Sequence, residues 1–163
     1  MALSRDKKNQ LVAELSAALK DAKMTAFAEY KGLTVADLQE LRKEAREAGV
    51  QIKVVKNRLV RVAMQEVEAL KESDTSALKG QLVYAISNED EIAAAQVLGK
   101  FAKTHPDLKL VGAFADNGDV MDTATITTLS ELPSKDQLIG QIVDTLLSPI
   151  NAIAGGLTNE DLE

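Results

Sequence analysis

A run of basic residues without acids is the part of this sequence best suited to bind a ligand. Between Glu47 and Glu66 no acidic residue occurs, and the run contains Lys53, Lys56, Arg58 and Arg61. The pattern predicts an apolar strand that passes directly into a helix, whose first backbone N–H groups are unpaired and partly positive. Cations at such a junction can converge on phosphate groups, so we expect a nucleic-acid backbone as the anion. Solvated surface cations without a ligand are the alternative.

Two further features belong to this candidate site. Asn57 stands where the helix begins and is a favoured N-cap residue, while Arg58 and Arg61 are three residues apart and share one helical face. The pair Lys31–Gly32 follows a predicted strand, and a glycine there lets an RNA backbone approach closely. A simple turn, in which Gly32 adopts a positive φ angle, is the competing interpretation.

The sequence shows no set of catalytic residues, cofactor ligands or metal ligands. It contains no cysteine, which excludes disulfides and thiolate metal sites. His105 is the only histidine, and its position before Pro106 predicts a surface residue at a helix end. The acidic segment 116–122 resembles a calcium loop, but Gly118 and Val120 stand where ligands are needed, so a tight turn or hairpin is predicted. We therefore expect a protein without enzymatic activity, cofactor or metal.

The charge of the chain is divided unevenly along its length. Residues 1–70 contain 13 basic and 10 acidic side chains, whereas residues 71–163 contain 6 and 15. Such asymmetry predicts two surfaces for two kinds of partner, although chance can also produce it. No apolar run approaches the roughly 18 residues of a membrane-spanning helix, and the N-terminus lacks the apolar core of a signal peptide. We expect a cytoplasmic protein.

Residues 1–131 predict a globular α/β domain. Helical and strand periodicities alternate in the order α-β-α-β-α-β-α-β and are followed by a short helix. Only five aromatic residues occur, so the core must consist mainly of aliphatic side chains. Four strands and about four helices fit a two-layer, plait-like α-β sandwich, and we expect its sheet to be mixed.

Residues 132–163 predict a separate C-terminal helix after a boundary at Leu132–Pro133. Ser134 with Gln137 forms a capping-box pattern, and apolar residues then recur in steps of four and three along an extended helix. Pro149 is expected to kink or restart this helix. The apolar stripe predicts a helix that lies in a groove of a partner protein. Packing against the chain's own domain is the alternative.

Four ordered segments of the sequence resemble a known family. They are Lys31–Val35, Leu41–Lys43, Arg46–Val50 and Val54–Leu59. Together they are similar to the bacterial stalk-base proteins of the large ribosomal subunit, the ribosomal protein L-ten family, and the resemblance extends over nearly the whole chain. It implies an N-terminal domain that binds large-subunit ribosomal RNA beside ribosomal protein L-eleven. It also implies a C-terminal helix that binds dimers of the stalk protein L-seven/L-twelve, which recruit translation GTPases.

The resemblance assigns roles to individual positions of a scaffold on the cytoplasmic ribosome. The RNA-binding role falls on Lys31, Gly32, Lys53, Lys56, Asn57, Arg58 and Arg61. The stalk-binding role falls on Leu138, Ile139, Ile142, Val143, Leu146, Leu147, Ile150, Ile153 and Leu157. Many relatives continue with an Ala/Lys-rich helical stretch where this chain has Gly155–Gly156 and a polar end, so two stalk dimers rather than three are expected. A free regulatory protein that binds messenger RNA with the same patch is the alternative function.

Overall fold

The structure, a computed structural model, describes residues 4–133 and 135–160, without the side chains of residues 135, 151 and 155–160. The helices are α1 (Arg5–Asp21), α2 (Val35–Glu47), α3 (Asn57–Glu66), α4 (Ala93–Thr104), α5 (Thr123–Glu131) and α6 (Lys135–Glu160), and a short 3-10 helix spans Glu68–Leu70. The strands are β1 (Met24–Glu29), β2 (Val50–Lys53), β3 (Leu82–Ser87), β4 (Lys109–Ala115) and β5 (Val120–Met121).

The strands form one open sheet in the order β2-β3-β1-β4-β5. Every pairing between neighbours is antiparallel. The units β1-α2-β2 and β3-α4-β4 each join two strands that are separated by one other strand, which is the arrangement of a split βαβ plait. The α/β class and the plait are thus confirmed, but the expectation of a mixed sheet is wrong. Each helical crossover leaves room for one inserted strand, and that strand runs antiparallel to both of its neighbours.

Helices cover both faces of the sheet, so the domain has three layers rather than the expected two. Helices α2, α4 and α5 pack on the face that carries Ala26 and Ala85. Helices α1 and α3 pack on the face that carries Phe27 and Tyr84, and the rings of Phe27 and Phe114 stack there with centroids 5.0 Å apart. Strands that are apolar at successive positions need cover on both sides, and the extra layer supplies it.

Helix α2 begins with a capping box formed by Thr34 and Asp37. The Thr34 hydroxyl oxygen accepts a hydrogen bond from the Asp37 backbone N–H at 3.3 Å, and the Asp37 carboxylate accepts from the Thr34 backbone N–H at 2.9 Å. The bonds from the Thr34 backbone and hydroxyl lower the pKa of Asp37 below its ordinary value. The stabilising contribution of this cap is therefore present above the ordinary aspartate pKa and is lost as the pH falls through the lowered one.

The chain divides into two compact units, Met1–Leu132 and Pro133–Glu163. Helix α6 belongs to the second unit and runs without interruption through 26 residues, a length of about 39 Å. Pro149 lies inside this helix, so the helix does not restart at the proline. A proline within a helix removes one backbone hydrogen bond, and the continuous helix tolerates that loss.

Candidate nucleic-acid interface

The basic junction, which we define as Lys53, Lys56, Arg58 and the neighbouring Lys8, forms where β2 passes into α3. Strand β2 ends at Lys53, and α3 begins at Asn57 after a connection of three residues. Lys56 is the N-cap residue of α3, and no side chain caps the helix. The predicted N-cap role of Asn57 is therefore wrong. Within the described part of the chain, the N–H groups of this first turn have no side-chain acceptor, which suits an anion site.

Lys56 and Arg58 are exposed and line one shallow pocket together with Lys8 of α1. The pocket has a volume of about 460 Å³, and Leu59 and Val62 complete its lining. Among residues 4–133 and 135–160, neither Lys56 nor Arg58 makes a side-chain hydrogen bond or an ion pair. Their charges are therefore available to phosphate groups. The sequence pattern did not indicate Lys8, because α1 is brought to the junction only by its packing against α3.

Asn57 and Arg61, two of the predicted RNA ligands, bind the protein itself. The side-chain amide of Asn57 donates to the backbone carbonyls of Gly80 at 2.9 Å and Leu78 at 3.4 Å. Its oxygen accepts a hydrogen bond from the Tyr84 hydroxyl at 2.9 Å. Arg61 donates to the Leu78 carbonyl at 2.9 Å. These bonds tie α3 to the segment before β3, so both side chains hold the basic junction in position.

We expect Asn57→Ala to lower the free energy of unfolding by about 3 kcal/mol, because it removes three hydrogen bonds and leaves the buried Tyr84 hydroxyl without its acceptor. Tyr84 is only 2% exposed. Burial raises the pKa of its hydroxyl well above the ordinary value, so this group stays a neutral donor that needs an acceptor. Urea unfolding of the intact chain measures the loss. In a Tyr84→Phe background, which lacks the donor, Asn57→Ala should cost clearly less. An equal loss of unfolding free energy in the two backgrounds would contradict a stabilising hydrogen bond between the Tyr84 hydroxyl and Asn57.

Lys31 and Gly32 form a turn at the same end of the sheet as the basic junction. Gly32 has φ +102°, so the turn interpretation is confirmed, and a Cβ atom at this position would lie 3.3 Å from the Asp107 side chain. The preceding residue, Tyr30, lines a pocket together with Val54–Asn57. The structure thus brings the two predicted segments together, but it also places an acid beside Gly32.

One group of side chains could in principle hold a metal ion. The ligand atoms of Asp37, Glu40 and His105 lie within 4.8 Å of one another, and the described residues contain no other such group. His105 is the C-cap residue of α4, stacks on Phe101 and places its Nε2 atom 3.5 Å from a carboxylate oxygen of Asp37. Because Asp37 already caps α2, the group is explained as a helix cap and an ion pair that forms when His105 is protonated.

Helix α6 carries a second candidate surface, an apolar stripe. Its exposed apolar residues are Ile139, Ile142, Val143, Leu146, Leu147, Ile150 and Ile153. Leu138 is half-buried, and the side chain of Leu157 lies outside the described residues. The stripe covers about half of the helix circumference, with Gln141, Asp144 and Ser148 on the opposite side. Exposed apolar area of this extent is typical of an interaction surface. No helix within residues 4–133 and 135–160 combines the length and hydrophobicity needed to cross a bilayer.

Comparison with known proteins shows the family to which this chain belongs. Residues 3–103 match the family model described as Ribosomal protein L10. The large ribosomal subunit protein uL10 of Leptothrix cholodnii is 44% identical over 154 residues, which cover 94% of this chain and 82% of the relative. The protein of the same name from Aromatoleum aromaticum is 41% identical over 155 residues, with coverages of 94% and 90%. The resemblance seen in the sequence is thus confirmed, and the chain belongs to the ribosomal protein L10 family.

Proposed function

We propose that this protein is a structural constituent of the large ribosomal subunit with two binding surfaces. The basic junction binds large-subunit ribosomal RNA, beside ribosomal protein L-eleven, and the apolar stripe of α6 anchors dimers of the stalk protein L-seven/L-twelve. Membership of the L10 family supports the ribosomal role, since proteins of this family are structural components of the ribosome and not enzymes. The observation that carries the RNA-binding role is the group of exposed, unpaired cations Lys8, Lys56 and Arg58.

The chemistry of the basic junction suits a phosphate backbone better than unstacked bases. Three cations surround one pocket, and the uncapped start of α3 adds backbone donors. Phe27, Tyr84 and Phe114 are buried in the core, so they are not available for stacking on bases. Tyr30, which is half-buried, is a single ring in the neighbouring pocket and offers no stacking platform for successive bases. Binding should therefore depend strongly on salt, because each phosphate contact releases counterions. In this proposal Asn57 and Arg61 act by positioning the junction.

The chemistry of α6 suits a protein groove better than a lipid surface. Helices that lie on anionic membranes carry Lys or Arg on their polar face. Between residues 136 and 160 this chain has no basic residue, and Asp144 lies on the polar side. An amphipathic helix whose one basic residue, Lys135, stands at its first position is suited to a hydrophobic groove of other helices, which the stalk dimers would supply.

Sedimentation of a cell lysate tests the ribosomal assignment. We expect the intact chain to move with large ribosomal subunits at low salt and to be partly released at high salt, because its RNA contacts are ionic. A protein that stays in the soluble pool, bound to messenger RNA, would instead support the free regulatory protein. Quantitative mass spectrometry of each gradient fraction gives the distribution.

Native mass spectrometry of the complex with the stalk protein tests the number of dimers. We expect two dimers per chain, the number that the family resemblance favours at Gly155–Gly156. Three bound dimers would refute this count without affecting the proposed RNA-binding role.

A further inference from the structure

A basic groove lies beside β2, at the edge of the sheet. Strand β2 pairs with β3 on one side only, so no strand of the described chain covers the backbone N–H and C=O groups of its outer edge. The groove has a volume of about 400 Å³, and its lining residues are Arg42, Arg46, Val50, Gln51, Ile52 and Lys53. We call it the edge groove.

The charges of α2 are sorted between two sides of the helix. Arg42 and Arg46 are four residues apart, so they share the helical face beside the edge groove. No acidic residue lines this groove. The acids Glu44 and Glu47 line a different pocket, together with Lys100. This separation keeps the positive charge of the edge groove from being neutralised by its own helix.

The cations of the edge groove are also unpaired. In the part of the chain that the structure describes, Arg42, Arg46 and Lys53 make no ion pair and no side-chain hydrogen bond. Two guanidinium groups without acceptors fit the oxygens of phosphate, because the planar fork can donate two parallel hydrogen bonds. Open backbone N–H groups of an edge strand add neutral donors.

We infer that the edge groove is a second track for the phosphate backbone of the bound RNA. The inference rests on the proposed RNA-binding function and extends it to Arg42 and Arg46. The edge groove and the basic junction are continuous, since Lys53 ends β2 and only two residues separate it from Lys56. An added protein strand is a poorer occupant, because Lys53 on β2 and the two arginines of α2 beside its outer edge disfavour further strand pairing.

The double substitution Arg42→Gln and Arg46→Gln in the intact chain tests the edge groove. Filter binding to large-subunit ribosomal RNA transcribed in vitro gives the affinity at several salt concentrations. We expect affinity to fall roughly 60-fold at about 0.1 M salt, and the slope of log affinity against log salt to shrink by about 1.8, using the duplex-DNA value per contact. Circular dichroism and thermal unfolding establish that the variant is folded.

Two control variants separate the groove from general charge effects. Lys43→Gln with Lys100→Gln removes the same net charge from exposed sites outside the groove, and we expect it to lower affinity only slightly. Arg42→Lys with Arg46→Lys keeps the charge and should retain the salt slope.

The outcomes distinguish this inference from the proposed function. If Lys56→Gln with Arg58→Gln weakens RNA binding but the Arg42 and Arg46 variant binds normally, the edge groove is not an RNA track, and the basic junction stands. If neither variant loses affinity, the proposed RNA-binding function fails as well. If the edge-groove variant keeps its RNA affinity but loses binding of another ribosomal protein, the edge instead accepts a protein partner, and the inference is overturned.

Discussion

Replacing Lys53, Lys56 and Arg58 together with glutamine is expected to lower the affinity for large-subunit ribosomal RNA by roughly 500-fold at about 0.1 M salt. Each phosphate contact adds about 0.9 to the slope of log affinity against log salt for duplex DNA, so three lost contacts reduce that slope by about 2.7. Filter binding across a salt series measures both quantities. Because these three side chains make no hydrogen bond or ion pair within the described residues, thermal stability should change little.

A matched control removes the same charge elsewhere. Lys20, Lys71 and Lys103 are exposed and lie outside the basic junction. Their triple substitution by glutamine changes the net charge equally, so it should lower affinity only through the weakened overall field. If both triple variants lose the same affinity, RNA binding depends on net charge alone. The basic junction would then not be a binding site.

The second large effect is expected on α6. Replacing Leu146 and Ile150 with aspartate should weaken binding of the stalk protein L-seven/L-twelve at least roughly 1,000-fold, since two central apolar anchors of an interface each contribute about 2 kcal/mol or more. Leu146 is 69% exposed and Ile150 is 60% exposed, so the substitutions remove no buried side chain. Isothermal titration of the intact chain with purified stalk protein measures the loss.

The opposite face of α6 provides the control for this prediction. Gln141→Asp with Ser148→Asp adds the same two charges at exposed positions on the polar side. Stalk binding should be nearly unchanged, and both variants should bind ribosomal RNA like the wild type. Equal losses in the two variants would mean that added charge, and not the apolar stripe, controls stalk binding.

Periodicity predicted the elements of the fold better than their arrangement. The α/β class, the plait and the C-terminal helix follow from alternating and helical apolar patterns that each element carries locally. The third layer does not, because a strand such as β3 is apolar at consecutive positions and a pattern of that kind does not say which helix covers which face. The antiparallel sheet was missed for a similar reason, since strand order depends on contacts between distant segments.

Pro149 was expected to kink or restart α6, but the helix does not restart there, since one lost hydrogen bond is a small part of a 26-residue helix.

The sequence indicated where the basic junction lies, but not which of the neighbouring polar side chains face solvent. Polarity and position in the sequence do not distinguish four neighbouring residues, Lys56, Asn57, Arg58 and Arg61. Only the packed structure shows that Asn57 and Arg61 reach the carbonyl of Leu78 while the other two remain exposed. Lys8 was missed because it belongs to another helix. The sequence of an amphipathic N-terminal helix does not predict which distant segment its basic residues will approach.

Hydrogen–deuterium exchange of the intact chain, with each partner added separately, tests most directly whether RNA and stalk protein bind at different surfaces. Large-subunit ribosomal RNA is expected to slow exchange in residues 53–61 and near Lys8, and to leave residues 136–154 unchanged. Stalk protein is expected to slow exchange in residues 136–154 alone. Protection of residues 136–154 by the RNA, with residues 53–61 unaffected, would contradict the division of binding between the basic junction and α6.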